Sequence, residues 1–285
     1  RARDRMLTFA PSMDLIAFDL DGTLLNASGV ISPFTRETLN KLSERGILYT
    51  IATGRTLHAS LDVLKSHAFR HPQAYKNGVV IWDPTTEDYT HHNFLTHSEI
   101  EHVLEAVLRQ DMTPFMFTVE PGQRHAVYHP PLRTEIEVLL AKDIKERSGL
   151  PVLPASELPA DADITNVSAL GAPHAIDAVY AFIADEPDLI AYSTNALEDS
   201  TYKWIDIHHI DASKGNAVQV LKRELGATRV LCFGDSMNDV SMFEIADESY
   251  APANAKRPLR EAATAVIGHH DEDGIAHFLR ERFSL

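Results

Sequence analysis

Leu15-Ile16-Ala17-Phe18-Asp19-Leu20-Asp21-Gly22-Thr23 is a run of four apolar residues, then two carboxylates at i and i+2, then a glycine. The apolar run predicts a strand buried on both faces of a parallel sheet. Strand periodicity sends Asp19 and Asp21 to the same side, and in an open parallel sheet the carboxyl ends of strands border the ligand crevice. Gly22 lets the chain turn away sharply. An isolated Asp-x-Asp is more commonly a turn or a helix cap, so its meaning depends on what the other strand ends carry.

The flanking segments alternate in the same manner. Ser32-Pro33 reads as an N-cap followed by proline at the first helical position, Leu39 and Leu42 carry an apolar stripe, and Gly46 sits where a C-cap glycine belongs. A strand is expected over 47–52 and a helix over 57–66. The tail predicts a helix over 213–225, a strand over 229–233 and a helix over 237–246. A strand–helix–strand–helix run through Tyr250, Leu259, 265–267 and 275–283 closes the chain. This βαβ rhythm predicts an α/β fold with a doubly wound, Rossmann-like parallel sheet.

Between the halves the texture changes. Helices are expected over 98–110 and 132–148, strands over 114–119, 164–170, 189–193 and 204–208, and a proline-rich loop over 151–159. The expected organisation is a core of 14–83 and 211–285 split by an inserted domain at 84–210. Residues 1–12, ahead of Met13, read as an upstream extension, native or added for expression.

Two further strand ends are polar in a coordinated way. Thr53-Gly54-Arg55 offers a hydroxyl, a flexible backbone and a guanidinium, a set that suits a phosphate oxygen; Arg55 fits a phosphate contact and a carboxylate pair equally. Gly234-Asp235-Ser236-Met237-Asn238-Asp239 adds two carboxylates and an amide before a helix. Four aspartates and an asparagine in one crevice repel unless a cation sits among them. A hard divalent ion with oxygen ligands, Mg²⁺, meets that need; Ca²⁺ is the alternative, without EF-hand spacing to support it. Lys214 opens the 213–225 helix and can reach the same edge to offset phosphate charge, although a lone lysine at a helix start is ordinarily solvated. Asn77-Gly78 is first a turn signal, with a possible part in shaping the site.

Composition narrows the field. The chain has 285 residues, 44% of them hydrophobic, which at about 150 residues per domain predicts roughly two domains. A formal charge of −15 speaks against a non-specific binder of nucleic acid or of anionic membranes. The longest stretch free of charged residues, 22–35, is shorter than the about 18 apolar residues of a membrane span. The single cysteine, Cys232, admits no intrachain disulfide, fits a reducing cytoplasm and reads as a core residue. Fifteen histidines invite a zinc reading, but adjacent pairs on a strand point to opposite faces. His125 and His129 would need a helix that Pro121-Gly122 and Pro130-Pro131 leave no room for. Asn166, Asn195 and Lys203 are candidate readers of a leaving group within the insertion, each fitting an ordinary polar position at the surface better. Phe115, Met116 and Phe117 read as its core.

Taken in order, Asp19-Leu20-Asp21-Gly22-Thr23, Thr53-Gly54-Arg55, Lys214 and Gly234-Asp235-Ser236-Met237-Asn238-Asp239 resemble the four motifs of the haloacid-dehalogenase-like superfamily. The insertion between the second and third resembles the large C2B cap of its Cof-type (IIB) hydrolases, and Asn77-Gly78, Lys214-Gly215 and Asn254-Ala255 fit that subfamily. The resemblance spans Met13 to Leu285. It implies a Mg²⁺-dependent phosphatase acting on small phosphorylated metabolites, sugar phosphates or phosphorylated cofactors, through an aspartyl-phosphate. Asp19 would be the nucleophile and Asp21 the general acid and base. Asp19, Asp21 through its carbonyl, and Asp235 would hold the metal, with Asn238 and Asp239 as ligands or orienters. Thr53, Gly54 and Lys214, with Arg55, would hold the phosphoryl group. An acid at Asp21 favours phosphoester hydrolysis over dehalogenation. Phosphomutase, sucrose-phosphate-type phosphatase and a non-catalytic phosphometabolite sensor are the alternatives, with neither nucleic acid nor membrane as partner.

Overall fold

The opening apolar run forms strand β1 (Asp14–Phe18) in a computed structural model that describes residues 13–196 and 201–285. The extension expected over 1–12 lies outside the described residues. Ser32 caps helix α1 (Pro33–Glu44): its hydroxyl accepts the Thr35 amide at 3.0 Å, and Pro33 fills the first helical position, where no amide donor is needed. Strand β2 (Leu48–Ile51) and helix α2 (Leu57–Leu64) follow, then strands β3 (Gln73–Tyr75), β4 (Val80–Asp83) and β5 (Asp88–His92). The next stretch makes α3 (His97–Arg109), β6 (Phe115–Glu120), β7 (Arg124–His129), α4 (Glu135–Ser148), β8 (Val152–Pro154), β9 (Asp163–Gly171), α5 (Pro173–Ala184), β10 (Leu189–Asn195) and β11 (Lys203–His209). The chain closes with α6 (Lys214–Glu224), β12 (Arg229–Phe233), α7 (Val240–Ile245), β13 (Glu248–Pro252), α8 (Arg257–Ala262), β14 (Ala265–Ile267) and α9 (Gly274–Phe283).

Strands β14-β13-β12-β1-β2, in that order, form one parallel sheet. From β1 the chain winds one way to β2; from β12 it winds the other way to β14. The switch point between β1 and β12 is where such a sheet opens its crevice. Along β1, Ile16 and Phe18 pack with Leu39, Leu42 and Leu279 on one face, while Leu15 and Ala17 pack with Val218 and Leu221 on the other. Helices on both faces leave no place for a polar residue inside the strand, hence the unbroken apolar run.

The insertion folds into a second sheet, β10-β11-β9-β6-β7-β8, antiparallel except for β7 with β8. Val103, Val107, Ile176, Val179 and Ile183 of α3 and α5 cover one face against Val167, Ala169, Ile205 and Ile207. This is an α/β cap on a Rossmann-like core, as expected. Several local features differ from the sequence reading, among them β8 and a 3₁₀ turn, Ala155–Glu157, inside the loop expected over 151–159. Helix α5 starts after Ala172, which makes no side-chain capping bond, so only Pro173 marks its beginning. The helix expected over 237–246 divides into a 3₁₀ turn, Met237–Asp239, and α7, because the Asp239 carboxylate turns back onto the amides of Asp235 and Ser236. The boundary expected at residue 84 falls inside the β4–β5 hairpin, and β5 pairs with β4 rather than with the six-stranded sheet. Its sequence, Asp88-Tyr89-Thr90-His91-His92, is too polar to announce a strand.

The outgoing and returning chains of the insertion touch. The Asn93 side-chain amide donates to the Asp211 carbonyl at 3.3 Å. Gly78, at φ +91°, passes so close to Ser213 that a β-carbon would lie 2.3 Å from its carbonyl oxygen. Gly78 therefore shapes this crossing rather than the crevice itself. Gly78→Ala is expected to lower unfolding stability by about 1–3 kcal/mol through backbone strain alone. Urea titration measures this, and an unchanged midpoint would refute the account.

Candidate active site

Asp19 sits where β1 ends, its amide bonded to the Phe233 carbonyl at 2.9 Å and its side chain buried. Immediately after it the chain turns at Gly22, φ +73°, where a β-carbon would meet the Asp235 carboxylate at 2.6 Å. The Asn254 side chain donates to the Gly22 carbonyl at 2.7 Å, and the Thr23 hydroxyl donates to Asp235 at 3.2 Å. Three separated segments are thereby pulled onto one strand edge.

Lys214 opens α6 and, contrary to the ordinary fate of a lysine at a helix start, is wholly buried. Its ammonium donates to Asp19 Oδ1 and to Asp239 Oδ1, each at 2.6 Å. The other Asp239 oxygen accepts the amides of Asp235 and Ser236 at 2.9 and 3.0 Å, so both of its oxygens are engaged. Carboxylate oxygens of Asp19, Asp235 and Asp239 all lie within 4.8 Å of one another. Among the described residues no other group of histidine, cysteine or acidic side chains gathers in this way. Three carboxylates face one ammonium. Burial first, then the Asp239 charge, hold the Asp19 carboxyl well above its usual range against the pull of Lys214. Burial and Asp239 raise Asp235 as well. Lys214 is kept charged by its two carboxylates, which outweigh its own burial. An all-oxygen donor set with excess negative charge fits a hard divalent cation.

Asp19, Asp21, Thr53, Gly54, Arg55, Asp235, Ser236 and Asn238 line one cleft of about 240 Å³. Asn238 donates to the Asn77 side chain at 2.9 Å, which places Asn77 at the cleft wall. The Thr53 hydroxyl accepts the Arg55 amide at 3.1 Å. Of the two roles open to Arg55, the structure shows the carboxylate pair. Its Nε and Nη2 grip both oxygens of Asp21 at 2.7 and 2.6 Å, and Nη1 donates to the Ala59 carbonyl at 3.0 Å. The pair follows from geometry, since a planar fork matches a carboxylate in two parallel bonds. Asp21 itself is exposed, unlike Asp19.

The candidate readers separate. Lys203 is spent on a surface pair with Asp177 at 2.6 Å, and Asn195 is exposed at the end of β10. Asn166 does not lie at the surface; it is buried in a hydrogen-bonded cluster with Thr165, Ser168, Asp206 and Lys76. Lys76 had no local signal in the sequence, because its burial depends on a strand about 90 residues away. His125 and His129 lie on strand β7, bonded to the Tyr89 hydroxyl and the Pro130 carbonyl. Cys232 is buried in β12, and that burial pushes its thiol up.

The family model described as haloacid dehalogenase-like hydrolase matches residues 16–279. The chain belongs to the haloacid dehalogenase-like hydrolase family. Phosphatase YwpJ of Bacillus subtilis is 28% identical to it over 94% of this chain and 99% of its own length. From the same organism, 5-amino-6-(5-phospho-D-ribitylamino)uracil phosphatase YwtE is 28% identical over 95% and 99%. The solved structure of the subclass IIB sugar phosphatase BT4131 superposes with a TM-score of 0.75 at 20% identity, over 95% of this chain and 99% of that one. The family match thus takes in strands of all three sheets, the five-stranded, the six-stranded and β3-β4-β5.

Two outcomes test the electrostatics. Lys214→Met leaves two buried carboxylates unpaired and is expected to cost roughly 3–5 kcal/mol in urea unfolding; a loss under 1 kcal/mol would contradict the pairing. Asp19→Asn is expected to stabilise the metal-free protein at neutral pH. The raised carboxyl ionises more reluctantly when folded, so its penalty is absent below the usual value of 3.8 and grows as pH rises through the folded value. The gap between the two proteins should therefore close on acidification, as thermal melts across pH would show.

Proposed function

We propose that this chain is a Mg²⁺-dependent phosphatase that hydrolyses small phosphorylated metabolites, sugar phosphates or phosphorylated cofactors, through an aspartyl-phosphate on Asp19. The observation that carries this reading is the buried Asp19 carboxylate, held by Lys214 at 2.6 Å beside Asp235, in the same cleft as Asp21. Relatives named as phosphatases, one for a phosphorylated ribityl compound, support the same substrate range.

Asp19 attacks phosphorus in line, forming an O–P bond as the ester P–O bond breaks, and Asp21 gives its proton to the departing oxygen. Water then attacks the aspartyl-phosphate while Asp21 takes a proton from it, releasing inorganic phosphate and the free carboxylate. Lys214 fixes the Asp19 oxygen and its charge, Arg55 fixes Asp21, and Thr53 and Gly54 receive the phosphoryl oxygens. Asp19, the Asp21 carbonyl and Asp235 would hold Mg²⁺, with Asn238 and Asp239 orienting them; the ion supplies neutralisation of the phosphoryl charge. The core of 14–83 and 211–285 would do this chemistry and the 84–210 insertion would cover it, in a reducing cytoplasm that suits the single thiol. No helix of the described residues is long and apolar enough to cross a membrane.

Hydrolysis of p-nitrophenyl phosphate with Mg²⁺ and with a chelator tests the activity, which should vanish with the metal. Asp19→Asn should abolish turnover and phosphoenzyme formation, and Asp21→Ala should lower turnover by about 10²–10⁴-fold. Near-normal turnover in Asp19→Asn would sink the mechanism.

A further inference from the structure

Two neighbouring residues beside the cleft send their side chains in different directions. Lys76 and Asn77 open a turn of three successive left-handed residues, Lys76 at φ +50°, Asn77 at +55° and Gly78 at +91°. For a lysine and an asparagine that backbone costs about 1–3 kcal/mol each, and it persists only where the surroundings hold it. The 53–55 loop supplies the hold on the core side. The Lys76 amide donates to the Arg55 carbonyl and the Asn77 amide to the Thr53 carbonyl, both at 2.9 Å.

Asn77 turns its side chain toward the cleft. It accepts from Asn238 at 2.9 Å, and a β-carbon on Gly54 would lie 3.2 Å from its oxygen. Lys76 turns the other way and is buried. Its ammonium donates to the Thr165 hydroxyl at 3.1 Å and to the side-chain oxygen of Asn166, and it lies 4.0 Å above the Phe117 ring. Thr165 and Asn166 belong to β9 and Phe117 to β6, so all three contacts are with the cap. Burial lowers the amine to about 7 against the pull of Asp206, and the acceptors on the cap offset that cost.

This contact is directional. Hydrogen bonds weaken steeply away from their proper distance and angle, and a buried donor left without an acceptor is costly, more so when charged. Displacement of β9 would leave the Lys76 nitrogen unpaired, while the bonds of its amide to the core stayed intact. The neighbouring contact between core and cap carries no such bond: His58 of α2 meets the His125 ring of β7 edge-on, with centroids 4.9 Å apart.

Resting on the phosphatase reading above, we propose that Lys76 is a positioning residue, whose backbone holds the 53–55 loop and whose side chain holds β9, so that the cap is fixed in one place relative to the cleft. The reaction then depends on Lys76 through the placement of the cap, without contact between Lys76 and the phosphoryl group.

Spin labels on Ala181→Cys in α5 and Ala262→Cys in α8, both exposed positions, report the distance between cap and core; Cys232 is buried and stays unlabelled. Lys76→Met keeps an unbranched chain over Phe117 and removes the donor. The distance distribution should widen about twofold, with an unchanged circular dichroism spectrum; the width of the parent protein would overturn the proposal. Thr165→Val removes one acceptor from the cap side. It should widen the distribution in the parent and add nothing in Lys76→Met, since both changes break one contact; additive widening would overturn it. If Lys76→Met does not fold, Thr165→Val alone decides by the same reading. Turnover separates placement of the cap from support of the loop. With p-nitrophenyl phosphate, kcat of Lys76→Met should fall about tenfold while the inhibition constant of inorganic phosphate stays within about twofold. An unchanged kcat, or a parallel loss of phosphate affinity, would overturn the positioning role. If the parent protein does not hydrolyse p-nitrophenyl phosphate, the phosphatase reading fails instead, and the distance distributions alone decide how the cap is held.

Discussion

The Lys214 ammonium between Asp19 and Asp239 is the constraint around which the rest is arranged. Three carboxylates within 4.8 Å would drive the strand ends apart, and one buried ammonium at 2.6 Å from two of them holds the set together. That pairing requires α6 to begin beside the ends of β1 and β12, so the returning chain must pass close to Gly78. Asp239, tied also to two amides, acts as the rigid end of the arrangement. Asp19 and Asp235 are left with raised carboxyls, a net negative centre that a cation relieves.

The same segment places two carboxylates in contrasting surroundings. Asp19 is buried beside an ammonium, whereas Asp21, two residues on, is exposed and gripped by the Arg55 fork. Residues of one type acquire separate chemistry when their environments differ in this way. The strand ends at Phe18, so Asp21 lies beyond it, and the turn at Gly22 lets Asp235 approach.

The core was largely legible because its signals are local. A four-residue apolar run, a Ser-Pro helix start and polar residues at strand ends each report on their own segment, and β12 runs over 229–233 as expected. Asp19, Asp21, Thr53 and Asp235 could be named for the same reason, and the cleft brings them together. What escaped depends on distant partners. Arg55 offered two equal roles until Asp21 was seen opposite it. The burial of Lys214 needed two aspartates from separate segments, and that of Lys76 needed β9. Polar β5 became a strand only because β4 supplied an edge for it to pair with.

The separation along the chain has a bearing on how the protein comes into being. Lys214 and Asp19 are 195 residues apart, and β1 gains its neighbour β12 only after the whole insertion has been made. During synthesis the six-stranded sheet, whose strands come from one continuous stretch, can form while β1 still lacks a partner on that side. An apolar strand with an open edge must wait meanwhile, and such edges are prone to aggregate. The acidic centre is thus among the last parts to assemble on the ribosome, so a chain truncated within the insertion would carry Asp19 but never the ammonium that restrains it.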